Sequence, residues 1–66
     1  MQTTQDDDVS VTPETGAVWT VAFTTSPEVI GWVIQSGRFY KAISSERGDL
    51  GQQMDLMRAA RVVALS

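Results

Sequence analysis

The chain has 66 residues, a formal charge of −3 and neither Cys nor His, so it has room for one small domain but no disulfide framework, thiolate nucleophile or imidazole acid–base pair. Zinc would lack its usual ligands, and no cofactor is expected. No run approaches the roughly 20 apolar residues of a membrane span, and MQTTQDDDVS lacks the basic start and apolar centre of a secretion leader; a cytoplasmic protein without a membrane partner is expected.

Residues 1–8 are polar and include Asp6, Asp7 and Asp8. Such a segment buries too little apolar surface to offset the entropy of ordering, and it reads as a flexible acidic tail ahead of one domain over 9–66. Val9-Ser10-Val11-Thr12 alternates as a half-buried strand does. Pro13-Glu14-Thr15-Gly16 carries turn chemistry.

Residues 17–24 are rich in β-branched and aromatic side chains and predict a strand. Trp19, Val21 and Phe23 share one face of it; Thr20, Ala22 and Thr24 share the other. Ser26-Pro27-Glu28 could begin a helix. The following Val29-Ile30-Gly31-Trp32-Val33-Ile34-Gln35 has helix-disfavouring composition and predicts a strand instead, apolar on both faces. Gly31 is expected at a bulge or a close backbone approach. Ser36-Gly37 suits a tight hairpin loop. The next strand, 38–44, puts Phe39, Lys41 and Ile43 on one face and Arg38, Tyr40 and Ala42 on the other.

After the polar stretch 45–48 the period changes. Leu50, Leu56, Met57, Ala60, Val63 and Ala64 form a helical stripe, with Met54 at its edge, Asp49 as the N-cap, and Gln52, Asp55 and Arg58 on the polar side. Residues 61–65 could alternatively form a last strand. The expected fold is α+β: a three- or four-stranded antiparallel meander with a C-terminal amphipathic helix on one face.

Catalytic groups are scarce. Asp6, Asp7 and Asp8 lie in the expected tail, without the held geometry that catalysis needs, and they lack EF-hand spacing. Glu46 and Asp49 read as a solvated loop and a helix cap. The Ser and Thr hydroxyls have only Lys41 as a potential activating base, and nothing places it beside one of them. The five glycines complete no phosphate-binding motif. Arg47-Gly48-Asp49 matches an adhesion tripeptide by letter only. The chain therefore reads as non-enzymatic.

Charge is segregated. Residues 1–30 hold five acids and no base, whereas 31–66 hold all five bases and three acids. Arg38, Lys41, Arg47, Arg58 and Arg61 could together serve a nucleic acid. The net negative charge argues against a duplex footprint, so that reading is the alternative.

Trp19, Phe23, Trp32, Phe39 and Tyr40 cluster in the middle of the chain, where aromatic side chains serve either cross-strand packing or interface anchoring. One helix covers one sheet face, and a 66-residue core is marginal alone. Trp19, Ile30, Trp32, Ile34, Phe39 and Tyr40 are therefore the expected protein interface, on a homodimer or an unidentified protein partner. The order of sheet then helix resembles small DNA-binding modules such as integrase arm-binding domains. That resemblance is one of architecture, and no functional residue transfers with it. The expected function is a small interaction module, an adaptor or inhibitor of the sort that phages or mobile elements encode.

Overall fold

The computed structural model describes residues 4–6, 8–26 and 28–66. Five strands of six to eight residues carry the sheet: β2 (Val9–Thr15), β3 (Val18–Phe23), β4 (Val29–Ser36), β5 (Phe39–Ser44) and β6 (Gly48–Gln53). The three-residue β1 (Thr4–Asp6) adds to one edge, and the helix α1 (Leu56–Leu65) ends the chain. Every strand pairs antiparallel with its sequence neighbour, in the order β1-β2-β3-β4-β5-β6. The expected α+β meander is present, but the sheet exceeds three or four strands, which also separates it from the three-stranded modules it resembled.

The extra strands come from two places. Thr4–Asp6 pairs with Val9–Val11 where a tail was expected; the rest of that tail, apart from Asp8, lies outside the described residues. Gly48–Gln53 pairs with β5 where a helix was expected to begin. GDLGQQ has no β-branched residue, so propensity does not announce it. Its pairing is irregular: the register shifts between Lys41 and Ile43, and Gly51 stands at φ +100°, a conformation that side-chain-bearing residues rarely adopt. The Asp49 Oδ1 accepts from the Gly51 N–H at 2.8 Å, so Asp49 organises this turn of chain and does not cap a helix.

The cap is Asp55. Its backbone is extended, and its side chain accepts from the Arg58 N–H at 3.1 Å, filling one of the donors a helix start leaves open. The helix then runs to Leu65, so residues 61–65 are helical and not a strand. Met54 precedes the cap and is exposed. Residues 29–36 form a strand and not a helix, as their composition favoured; Pro27, in the segment before them, lies outside the described residues.

Two turns sit later than the sequence suggested, the first by two residues and the second by one. Thr15 pairs with Val18 and Ser36 with Phe39, so the loops are Gly16-Ala17 and Gly37-Arg38. Pro13 lies inside β2. It is tolerated there because β1 flanks only Val9–Val11 among the described residues, so no neighbour on that side requires a donor from Pro13.

The helix lies across one face of the sheet, touching β2 through β6. Val9, Val11, Val21, Val33 and Ala42 from the strands meet Ala59, Ala60 and Val63 from the helix, and all are buried. Trp19, Ile30, Tyr40, Leu50, Leu56 and Met57 pack around that cluster. Gly31 fits beneath the helix: a Cβ there would overlap the Ile43 carbonyl oxygen and Val63 Cγ1. The expected close approach at this glycine is therefore present. The expected bulge is beside it, where the register between β3 and β4 shifts so that Val21 pairs with Gly31 but Ala22 pairs with Val29.

Candidate functional site

The face turned away from the helix is built by register. The cross-strand row Thr12, Thr20, Trp32, Ile43 and Asp49 crosses five strands. A second row runs Thr15, Val18, Ile34, Lys41 and Gln52. Ser10, Ala22 and Val29 form a third. Phe39 extends the same side of β5 by strand alternation.

These rows are unequal. On β4 and β5 the face carries Trp32, Ile34, Phe39 and Ile43, a raised apolar ridge. Besides Thr15 and Val18 at the hairpin end, on β2 and β3 it carries Ser10, Thr12, Thr20 and Ala22. Those short side chains floor an open trough of about 360 Å³ whose far end is bounded by Thr24, Thr25 and Val29. Trp32 is 36% exposed, Phe39 38% and Val29 41%, while Val33, next to Trp32 in the chain, is fully buried. The contrast at adjacent positions is the period of two of a strand covered on one side only.

Of the six residues expected at an interface, Trp32, Ile34 and Phe39 share the uncovered face. The other three are placed elsewhere. Trp19 pairs with Val33 and packs against the core, its ring 6.0 Å from that of Tyr40 and tilted by 57°. Tyr40 therefore belongs to the helix side as well. Ile30 occupies the bulge, which adds a residue and so breaks the alternation. Ile30 packs against the core, and its carbonyl accepts from the Ser45 N–H at 3.1 Å. Ile43 and Val18, absent from the expected interface, lie on the uncovered face. Alternation along β5 already grouped Ile43 with Phe39; only the assignment of the helix to the opposite side was lacking.

The basic residues do not converge. Arg38 and Arg47 lie in the turns at opposite ends of β5. Arg58 and Arg61 ride the helix, on the other side of the sheet from Lys41. The Lys41 Nζ is 3.1 Å from Asp49 Oδ2. The Gly51 N–H, and after it the Lys41 ammonium, hold the Asp49 carboxyl below its ordinary value of 3.8. Both partners face water, so the pair adds little to stability. Its effect on the uncovered face is to leave that part of the surface close to neutral.

A second cavity, about 340 Å³, opens where the end of the helix meets β4 and β5, beside Phe23, Ile30, Ser44 and Val63. Ser44 is buried, but its Oγ already accepts from the Glu46 and Arg47 N–H groups at 3.2 and 3.1 Å. It is a turn-organising hydroxyl. Among the described residues, no three acidic, His or Cys side chains gather as a metal site would require, and no helix is long and apolar enough to cross a membrane. The chain matches no protein-family model, no curated protein and no solved structure.

Proposed function

We propose that this chain is a small protein-interaction module, without catalysis of its own, whose working surface is the uncovered face of the sheet. The observation that carries the reading is Trp32. It stands in the middle of the meander, on β4, with strands on both sides, yet more than a third of it meets water. A large aromatic ring there, bordered by Ile34 and Ile43 with Phe39 beyond Lys41 on the same face, forms an exposed apolar patch of the sort that marks a docking surface. Trp is also the side chain most often found as an interface anchor. The neighbouring threonines and the neutralised Lys41–Asp49 pair supply the polar rim that such surfaces have.

An adaptor or inhibitor role agrees with the same feature, since a rigid sheet presenting an apolar ridge beside a trough binds by complementarity and needs no moving part. The scattered arginines offer a phosphate backbone no common groove, so the nucleic-acid alternative gains no support from the fold.

The test replaces Trp32 and Ile43 together by Thr, which suits a strand but removes the ridge. In a native extract of the source cell, the tagged wild-type chain is expected to elute in a species larger than its own 7.2 kDa. The variant is expected to keep its circular dichroism and to elute at the size of the single chain. Wild-type chain eluting alone, or a folded variant eluting with the complex intact, would refute the interaction reading.

A further inference from the structure

We infer that the occupant of the uncovered face is a second copy of this chain, seated face to face about a two-fold axis that runs parallel to the strands above the boundary between β3 and β4. The inference rests on the interaction reading and names its partner.

The first argument is shape. The ridge of Trp32, Ile34 and Ile43 lies wholly on β4 and β5, and the trough of Ser10, Thr12, Thr20 and Ala22 lies wholly on β2 and β3. Rotation by half a turn about a strand-parallel axis over the β3–β4 boundary exchanges β4 with β3 and β5 with β2. Trp32 of each copy then stands over Thr20 and Ala22 of the other, and Ile43 stands over Ser10 and Thr12. In that row large side chains meet small ones, as interdigitating sheets require at their usual separation of about 10 Å, while in the neighbouring row Ile34 meets Val18 of the other copy, an apolar contact. A two-fold axis across the strands would instead stack ridge on ridge and leave the troughs empty. One surface thus carries both halves of a self-complementary contact, the defining property of a two-fold interface.

The second argument is size. Six strands at about 4.8 Å spacing, most of six to eight residues, make a sheet of about 20–25 Å on each side. The two longer dimensions of the molecule, 30 and 27 Å, therefore lie in the sheet plane, and the third, 18 Å, is its two-layer thickness. A stable complex buries roughly 800 Å² on each partner. Pairing whole faces supplies an area of that order; a short peptide in the trough would cover a fraction of it.

The third argument is charge and core size. Toward the β6 edge of the face Lys41 and Asp49 neutralise each other, so this part of two identical surfaces approaches without like-charge repulsion. The fully buried apolar side chains of the intramolecular core are Val and Ala, with larger residues only partly buried around them. A chain this short buries a small share of its surface, and a second copy adds the large apolar residues that the fold leaves outside.

The test uses the purified full chain. Sedimentation equilibrium from low micromolar to near-millimolar concentration is expected to give twice the 7.2 kDa chain mass. Trp32→Thr, and independently Thr12→Arg in the trough, are expected to return the monomer with circular dichroism unchanged. Because the chain has no Cys, single-Cys variants report the axis. A mixture of Thr12→Cys and Ile43→Cys proteins treated with a short bis-maleimide is expected to join the two variants to each other, with little Ile43–Ile43 product. A monomer at every concentration overturns the second copy, leaving the interaction reading to the native-extract test. A dimer that survives both Trp32→Thr and Thr12→Arg overturns the use of this face, and the interaction reading with it. Predominant Ile43–Ile43 product overturns the strand-parallel axis.

Discussion

On the helix side the sheet presents Val9, Val11, Val21, Val33 and Ala42, and the helix answers with Ala59, Ala60 and Val63. On the other side β4 and β5 present Trp32, Ile34, Ile43 and Phe39. Both sets are apolar, but the fully buried side chains under the helix are small, with Trp19 and Tyr40 packed around them, and that size follows from what they must meet. A helix packed against a sheet within a 66-residue chain has to come close, and at Gly31 even one added carbon would strike the Ile43 backbone and Val63. Small side chains make that approach possible. The opposite face has no such neighbour among the described residues, and its large residues project beyond the sheet, where the proposed second copy would meet them.

This contrast predicts a ranking of substitutions along β4 that volume alone would not give. Gly31→Val should do the most damage, since overpacking of this kind costs up to about 3 kcal/mol and here one of the struck atoms belongs to the backbone; urea denaturation should show little folded protein remaining. Val33→Ala removes two carbons from a fully buried site and should cost about 2 kcal/mol in the same assay. Trp32→Thr removes many more atoms from the next position but should cost the monomer only about 1 kcal/mol, because cross-strand contact on an open face is all that is lost. If Trp32→Thr destabilised dilute monomer more than Val33→Ala, the two faces would not differ as described.

Two smaller effects sharpen the picture of the elements around the faces. Asp55→Ala should lower stability by about 1 kcal/mol through loss of the helix cap, whereas Asp49 should have no effect on helix content by circular dichroism. Asp49→Asn keeps an acceptor for the Gly51 N–H but loses the attraction to Lys41. The folded state lowers the Asp49 pKa, so its carboxylate contributes stability above the ordinary value of 3.8 and loses it as pH falls through the lower, folded value. The melting difference between wild type and Asp49→Asn should therefore be present at neutral pH, small because the pair is exposed, and vanish in acid.

Much of the sheet was legible in advance. Strands β3, β4 and β5 are dense in β-branched and aromatic residues, and alternation assigned their faces, including the grouping of Trp19 with Val21 and of Phe39 with Ile43. Alternation alone does not say which face a distant helix will choose. That is why Trp19 and Tyr40 were expected beside Trp32 although they lie on the other side of the sheet. Ile30 was unreadable for another reason: a bulge inserts one residue and reverses the facing of those beyond it, and nothing in Val29-Ile30-Gly31 fixes on which side of the glycine that happens.

Strand β6 was hidden because its pairing depends on glycine conformation and a local Asp49 hydrogen bond, not on propensity. Its Leu50, with Met54 just beyond it, falls by chance on an extension of the helical stripe of Leu56, Met57 and Ala60, which drew the expected helix start back to Asp49. Two aspartates, Asp49 and Asp55, each precede a leucine by one residue, and only the pairing of β6 with β5 decides between them. Strand β1 is polar throughout and owes its place to the exposed edge of β2.

The most direct measurement is the accessibility of Trp32 as the purified chain is concentrated. Trp19→Phe leaves Trp32 as the sole indole and keeps an aromatic ring beside Tyr40. Acrylamide should quench the fluorescence of this protein readily at high dilution and much less at high concentration, with the same midpoint as the change in mass. Quenching that stays equally efficient, or equally poor, at every concentration would contradict the account.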